Sequence, residues 1–239
     1  MAETHTNTLM LLPGLLCDDA VWREQAEALD NWHCQIVDYG SADTITAMAD
    51  IVLRQAPARF ALAGHSMGGR VALEVIRQAP ERVSRIALLD TGYEGRPSGE
   101  AGEPERTKRM ALLAQARTEG MRAMGEVWSR GMVHPDRLSD TALMESILAM
   151  IERKTPDLFA AQINALLNRP DATAVLRALR CPTLLMVGRQ DSWSPVERHE
   201  EMARLAPDSV LQVIEDAGHM STMEQPQAVS AMLRQWLAS

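Results

Sequence analysis

The sequence predicts an α/β fold in which a mostly parallel sheet of about six strands is flanked by helices and interrupted by an all-helical block. Three observations carry this. Short apolar runs bounded by Gly, Asp or Pro alternate with longer segments of helical period, the pattern of strands joined by crossover helices. The alternation stops over 94–178, where helical patterns follow one another without a strand. A chain of 239 residues, 46% hydrophobic and 23% charged, is long enough for one large core with an insertion.

The elements follow in order. The strand runs are TLMLLPG (8–14), CQIVDYG (34–40), FALAGHS (60–66) and VSRIALLD (83–90), then TLLMVGRQD (183–191) and SVLQVIEDAGH (209–219). MGGRVALEVIRQAP (67–80) and SPVERHEEMARLAP (194–207) read as amphipathic helices. The second opens with Ser194, Pro195 and Glu197, spaced as a capping box. EGRPSGEAGEPE (94–105) reads as a mobile loop. Four helical segments come after it: ERTKRMALLAQA, MRAMGEVWSRG, DTALMESILAMIERK and PDLFAAQINALLN, the last started by Thr155 and Pro156. The chain therefore divides into a core of 1–93 and 179–239 and an insertion of 94–178.

Composition narrows the function. Twenty-four Lys and Arg against 32 Asp and Glu leave a formal charge of −8, which argues against nucleic acid or an anionic membrane as partner. No stretch approaches the roughly 18 apolar residues of a membrane-spanning helix, and MAETHTNT lacks the positive start of a secretory signal. Cys17, Cys34 and Cys181 are odd in number and lack metal-ligand spacing. Free thiols in a cytoplasmic protein without structural metal are the expectation.

Gly64-His65-Ser66-Met67-Gly68-Gly69 sits between a strand and a helix. A nucleophile on such a sharp turn needs small neighbours, which Gly64 and Gly68 supply. A serine hydroxyl requires a base, and His219 stands just past the last strand run. His5, His33, His134 and His199 fall near the terminus, before a strand, or on helix and loop surfaces, and His65 is assigned to packing. The base requires an orienting acid. Asp191 ends the preceding strand run and is preferred; Asp90 remains an alternative, and Asp216 is too near His219 in sequence.

With Ser66, Asp191 and His219 in that order, and GHSMGG, GRQD and DAGH at strand ends, the chain resembles the α/β-hydrolases over nearly its whole length. The resemblance implies a catalytic triad of these residues, no cofactor, and a cap formed by 94–178. Only about seven residues precede the first strand, so the antiparallel N-terminal strands of many members are expected to be missing. The family's oxyanion hole maps onto the backbone N–H groups of Met67 and Leu15, with Leu16 next. Here Pro13 stands where many members carry a histidine that braces the loop.

Leu16, Trp128, Met132, Phe159 and Trp193 are the candidates to line an apolar substrate pocket, although such residues are often core. Acidic and basic residues nearly balance in the insertion, so no basic patch selecting an anionic substrate is expected; Arg122 or Arg130 alone remain possible carboxylate ligands. The expected activity is hydrolysis of a small, largely apolar carboxylic ester. The same residues serve lactonases, thioesterases, amidases and C–C hydrolases, and a cofactor-free lyase or a ligand receptor on this fold stays open. Oligomeric state is not legible.

Overall fold

A computed structural model describes residues 7–239. His5 lies outside the described residues, as does most of MAETHTNT. The strand runs form β1 (Thr8–Leu12), β2 (His33–Ile36), β3 (Phe60–His65), β4 (Val83–Leu89), β5 (Thr183–Gly188) and β6 (Ser209–Ile214). They make a six-stranded sheet in the order β2-β1-β3-β4-β5-β6, and all five pairings are parallel. The mostly parallel sheet of about six strands expected from the sequence is the one observed among the described residues.

Burial follows position in the sheet. β1, β3 and β5 are buried at every residue, as their near-continuous apolar sequences require of strands covered on both faces. The edge strands β2 and β6 are half-exposed and carry His33, Gln35 and Gln212. The flanking helices are α1 (Arg23–Ala28), α2 (Ile45–Gln55) and α3 (Met67–Gln78), with others that follow β5. α2 and α3 pack on each other, and α3 lies against β1, β3 and β4.

Between β4 and β5 come α4 (Glu103–Glu119), α5 (Met121–Trp128), α6 (Thr141–Glu152), α7 (Pro156–Leu167) and α8 (Thr173–Arg177). α4 packs on α5 and α7, and α5 on α6; α8 packs on α3 and α9 (Val196–Leu205). The Thr155 hydroxyl caps α7 as its sequence predicts, accepting the Leu158 N–H at 3.2 Å. Residues 91–98 have no regular structure, but the loop expected over 94–105 is shorter than read: a 3-10 turn spans Gly99–Gly102 and α4 already starts at Glu103, with Pro104 in its first turn. α10 (Ser221–Glu224) and α11 (Pro226–Ala238) close the chain, α11 packing on α1 and β6. Among the described residues no helix is long and apolar enough to cross a membrane.

Two expectations need correction. Ser194 does not cap α9: Asp191 Oδ1 takes the Ser194 N–H, the Ser194 hydroxyl donates to the Thr91 carbonyl, and the helix starts after Pro195. His199 is not a surface residue. It is fully buried on α9, where its Nε2 accepts the Thr91 N–H at 3.2 Å.

Candidate active site

β1 pairs with β2 on one side and β3 on the other, so the chain reverses its winding direction between β1 and β3. The carboxyl ends of such strands form a crevice. Leu12 pairs with Gly64 and His65 with Leu89, which brings the turns after β1, β3 and β4 to one level. The turns after β5 and β6 join them, since Gly188 pairs with Ile214.

Ser66 holds φ 55° and ψ −117°, a left-handed conformation costly for a residue with a Cβ. Its N–H donates to the Leu89 carbonyl at 2.9 Å, and its carbonyl accepts the Thr91 hydroxyl at 2.6 Å. The turn closes tightly enough to require glycine. A Cβ at Gly64 would stand 2.3 Å from the Gly68 carbonyl oxygen, and one at Gly68 2.1 Å from that of Leu12.

His219 bridges serine and acid. Its Nε2 lies 2.8 Å from Ser66 Oγ and its Nδ1 2.8 Å from Asp191 Oδ2. Asp191 Oδ1 accepts the N–H groups of Trp193 at 2.8 Å and Ser194 at 2.9 Å, which fixes the carboxylate plane. Burial pushes the Asp191 carboxyl up, but the His219 imidazole and these N–H donors outweigh it and hold the group below the usual carboxylate range. Burial likewise opposes charge on His219, yet Asp191 outweighs it and raises the imidazole above 6.5.

The His219 loop is held from several sides. Its N–H donates to the Met132 carbonyl at 2.6 Å, and Trp193 packs against the imidazole at 5.0 Å between ring centroids, the rings tilted by 50°. Glu224 gathers the N–H groups of Gly218 and His134 at 2.9 and 2.6 Å and that of Met220 at 3.2 Å.

Asp90 is in the wrong place to orient His219. It follows β4 directly and accepts the Gly188 N–H at 2.9 Å and the Ser221 hydroxyl. Burial and the Asp191 charge push it up to about 8. Asp216 is exposed. His65 is buried with its Nε2 2.8 Å from the His219 carbonyl, the packing role expected of it, and burial pushes it down to about 3.

The turn after β1 is braced without the histidine of the resemblance. The Tyr39 hydroxyl donates to the Pro13 carbonyl at 3.3 Å, and the Cys17 N–H to the Gly14 carbonyl at 3.1 Å. Asp18 caps the Asp19–Val21 turn by accepting the Ala20 N–H, and it pairs with Arg153 at 2.9 Å, just beyond α6. Leu16 has φ 59°, and its N–H is taken at 2.8 Å by Oε1 of buried Gln162 on α7. Among the described residues the N–H groups of Leu15 and Met67 have no partner.

A cavity of about 380 Å³ opens onto Ser66 and His219. Leu15, Met67, Trp128, Met132 and Trp193 line it; Leu16 and Phe159 do not. Phe159 is buried behind Trp128 at 6.1 Å between ring centroids. Cys17 also lines the cavity, its thiol pushed up to about 12 by burial and so inert as a nucleophile at neutral pH.

The sequence reading misses Thr91, Gln162 and four basic residues on the cavity wall: Arg70, Lys108, Arg109 and Arg198. The expectation of no basic patch is therefore corrected, because α3, α4 and α9 each contribute to it from distant segments. Arg122 is engaged elsewhere, paired with Glu145 and Glu152 at 2.6 and 3.1 Å, and Arg130 is exposed. A legible signal was the polar Gln162 within the apolar run LFAAQINALL.

Residues 11–232 match the Alpha/beta hydrolase family. The chain is 27% identical over 98% of its length to a pimeloyl-[acyl-carrier protein] methyl ester esterase of Photobacterium profundum, covering 96% of that protein. It is 28% identical to a 2-succinyl-6-hydroxy-2,4-cyclohexadiene-1-carboxylate synthase of Klebsiella pneumoniae, covering 97% of this chain and 94% of that one. Among solved structures, a malate-bound thermophilic esterase from Thermogutta terrifontis superimposes with a TM-score of 0.85 at 31% identity, over 97% of this chain and 89% of that one. The sheet order, the strained Ser66 turn and these matches agree: the chain belongs to the α/β-hydrolase family and is an enzyme of the hydrolase type.

Proposed function

We propose that the protein hydrolyses a small carboxylic ester through Ser66, His219 and Asp191. The observation that carries this is the unbroken contact from Ser66 Oγ through His219 to Asp191, 2.8 Å at each step, facing the cavity. Ser66 Oγ attacks the ester carbonyl while His219 Nε2 takes its proton. Asp191 holds the Nδ1–H tautomer and stabilises the imidazolium. The oxyanion is received by the Met67 and Leu15 N–H groups, each worth about 2.7–4 kcal/mol to the transition state in comparable sites. Leu16, second choice from sequence, is excluded as a donor because Gln162 occupies its N–H.

His219 then protonates the leaving alcohol, takes a proton from water, and the resulting hydroxide cleaves the acyl-enzyme. Leu15, Met67, Trp128, Met132 and Trp193 form the apolar part of the pocket. Helices α4–α7 serve as the cap over it, with α8 returning to the core. A small molecule is the partner, and the three free thiols suit a cytoplasmic setting.

The test is Ser66→Ala, assayed on an ester panel and with a serine-directed organophosphate. Loss of both turnover and labelling with an unchanged fold is expected; retained turnover in this variant would refute the proposal. The full-length similarity to a protein named as a cyclohexadiene-carboxylate synthase, rather than a hydrolase, keeps the cofactor-free lyase as a second reading. Product formed without incorporation of labelled solvent oxygen would select it.

A further inference from the structure

Resting on the hydrolase proposal, we infer that Arg70 and Arg198 form a carboxylate subsite in the reactive cavity, so that the ester cleaved carries a second, ionised carboxyl group. Both arginines line the cavity that contains Ser66 and His219. They converge over Gly92: a Cβ there would stand 2.8 Å from Arg70 Nη2, 3.1 Å from Arg198 Cδ and 3.6 Å from Arg198 Nε. Glycine at this point lets both side chains approach the backbone more closely than a Cβ would allow.

Neither arginine has a carboxylate in contact among the described residues, although the Glu105 charge acts on Arg70 through space. Arg70 Nη1 donates to the Glu94 carbonyl at 2.7 Å and Arg198 Nη1 to the Trp193 carbonyl at 3.0 Å. Among the described residues neither forms an ion pair. The carboxylate on this wall, Glu105, is engaged by Arg109 at 2.9 Å and by Arg169 at 2.7 and 2.9 Å. Asp90 also borders the cavity but is committed to Gly188 and Ser221. Lys108 adds a further positive charge.

Both guanidinium groups are partly exposed on the cavity wall, and two like charges held close together repel each other until an anion joins them. Burial, followed by Arg169 and Arg198, pushes Arg70 down to about 9. A carboxylate suits the place, since guanidinium forks match its planar oxygen pair. Position also fits: Arg70 lies four residues after Ser66 on α3, roughly one turn or 6 Å of helix rise. An anion there is a short chain away from the attacked carbonyl.

The experiment compares kcat/KM for monomethyl esters of straight-chain diacids with that for chain-matched methyl esters lacking the carboxylate. A third arm carries a phosphate monoester in the carboxylate's place. Wild type, Arg198→Met, Arg198→Lys and Arg70→Met are measured. The expected result is a preference of about 10- to 100-fold for one diacid half-ester over its neutral counterpart. That ratio falls by about tenfold or more in either Met variant, largely through KM, and is partly restored in Arg198→Lys.

Arg70 also bonds the 94 carbonyl, so a folding defect in Arg70→Met leaves the Arg198 pair of variants to decide. Equal rates for charged and neutral esters in wild type overturn the subsite, as does a preference unchanged in Arg198→Met. Preference for the phosphate arm overturns the choice of carboxylate. If the neutral esters turn over and Ser66→Ala is inert, the hydrolase proposal stands even when the subsite fails.

Discussion

Gln162, on a helix inserted between β4 and β5, accepts the backbone N–H of Leu16 in the turn after β1 at 2.8 Å, and both residues are buried. Leu16 sits at φ 59°, a conformation its side chain resists, so this one bond helps hold a strained turn beside the Leu15 N–H. The inserted helices thereby set the geometry of the proposed oxyanion hole.

Replacing Gln162 with Met keeps the side-chain length and removes the acceptor. A buried N–H left alone costs about 1–3 kcal/mol, which a thermal melt reads directly. If the turn relaxes, Leu15 moves as well, and kcat falls about tenfold with little change in KM. A lower Tm with unchanged kcat would assign Gln162 to stability alone.

Asp191 and Asp90 both end strands beside His219, but only Asp191 bonds Nδ1. Asp191→Asn is expected to lower kcat by about 10³- to 10⁴-fold, because an amide favours the wrong imidazole tautomer. Asp90→Asn is expected to stay within a few-fold of wild type, since Asp90, pushed up to about 8, is largely uncharged at neutral pH. Steady-state assays on a neutral ester compare the two; the opposite order would exchange their roles.

In the proposed mechanism the imidazole must be neutral to accept the Ser66 proton. Asp191 raises His219 above 6.5, so kcat/KM rises with pH through an apparent pKa above that value. In residual activity of Asp191→Asn the midpoint moves down, because the partner anion is gone. A profile flat from pH 6 to 8 in wild type contradicts this.

Stability has its own pH dependence. Burial pushes His65 down to about 3 and His199 to about 4, so between roughly pH 4 and 6.5 the unfolded chain binds two protons that these sites refuse. Each histidine then removes stability as pH falls, at a limiting slope of about 1.4 kcal/mol per unit. Asp90 works the other way, keeping its proton when folded up to about pH 8 and losing stability as pH rises. His219, raised when folded, contributes stability below 6.5 that is lost as pH rises through its folded value. Melting His199→Gln and wild type from pH 7 to 4.5 isolates one component. The variant should show the shallower acid decline, and parallel curves would remove His199 from the account.

Much of this was legible in the chain itself. Strand-length apolar runs bounded by Gly, Asp or Pro located all six strands, since a parallel sheet flanked by helices leaves that imprint. The tight Ser66 turn announced itself through Gly64 and Gly68, because contacts near 2 Å admit no Cβ. Local sequence therefore determined where the serine, the histidine and the acid stand relative to strand ends.

Long-range packing decided the rest. Asp191 and Asp90 carry the same local signal, and sheet register separated them by setting which carboxylate reaches the imidazole. Ser194 looked like a helix cap until Asp191 and Thr91 claimed its groups. Gln162 meets Leu16 across 146 residues. Arg70 and Arg198, on two helices far apart in sequence, form one basic wall in a protein of net charge −8. Composition averages over such charges, whereas a cavity wall depends on which side chains the fold brings to one place.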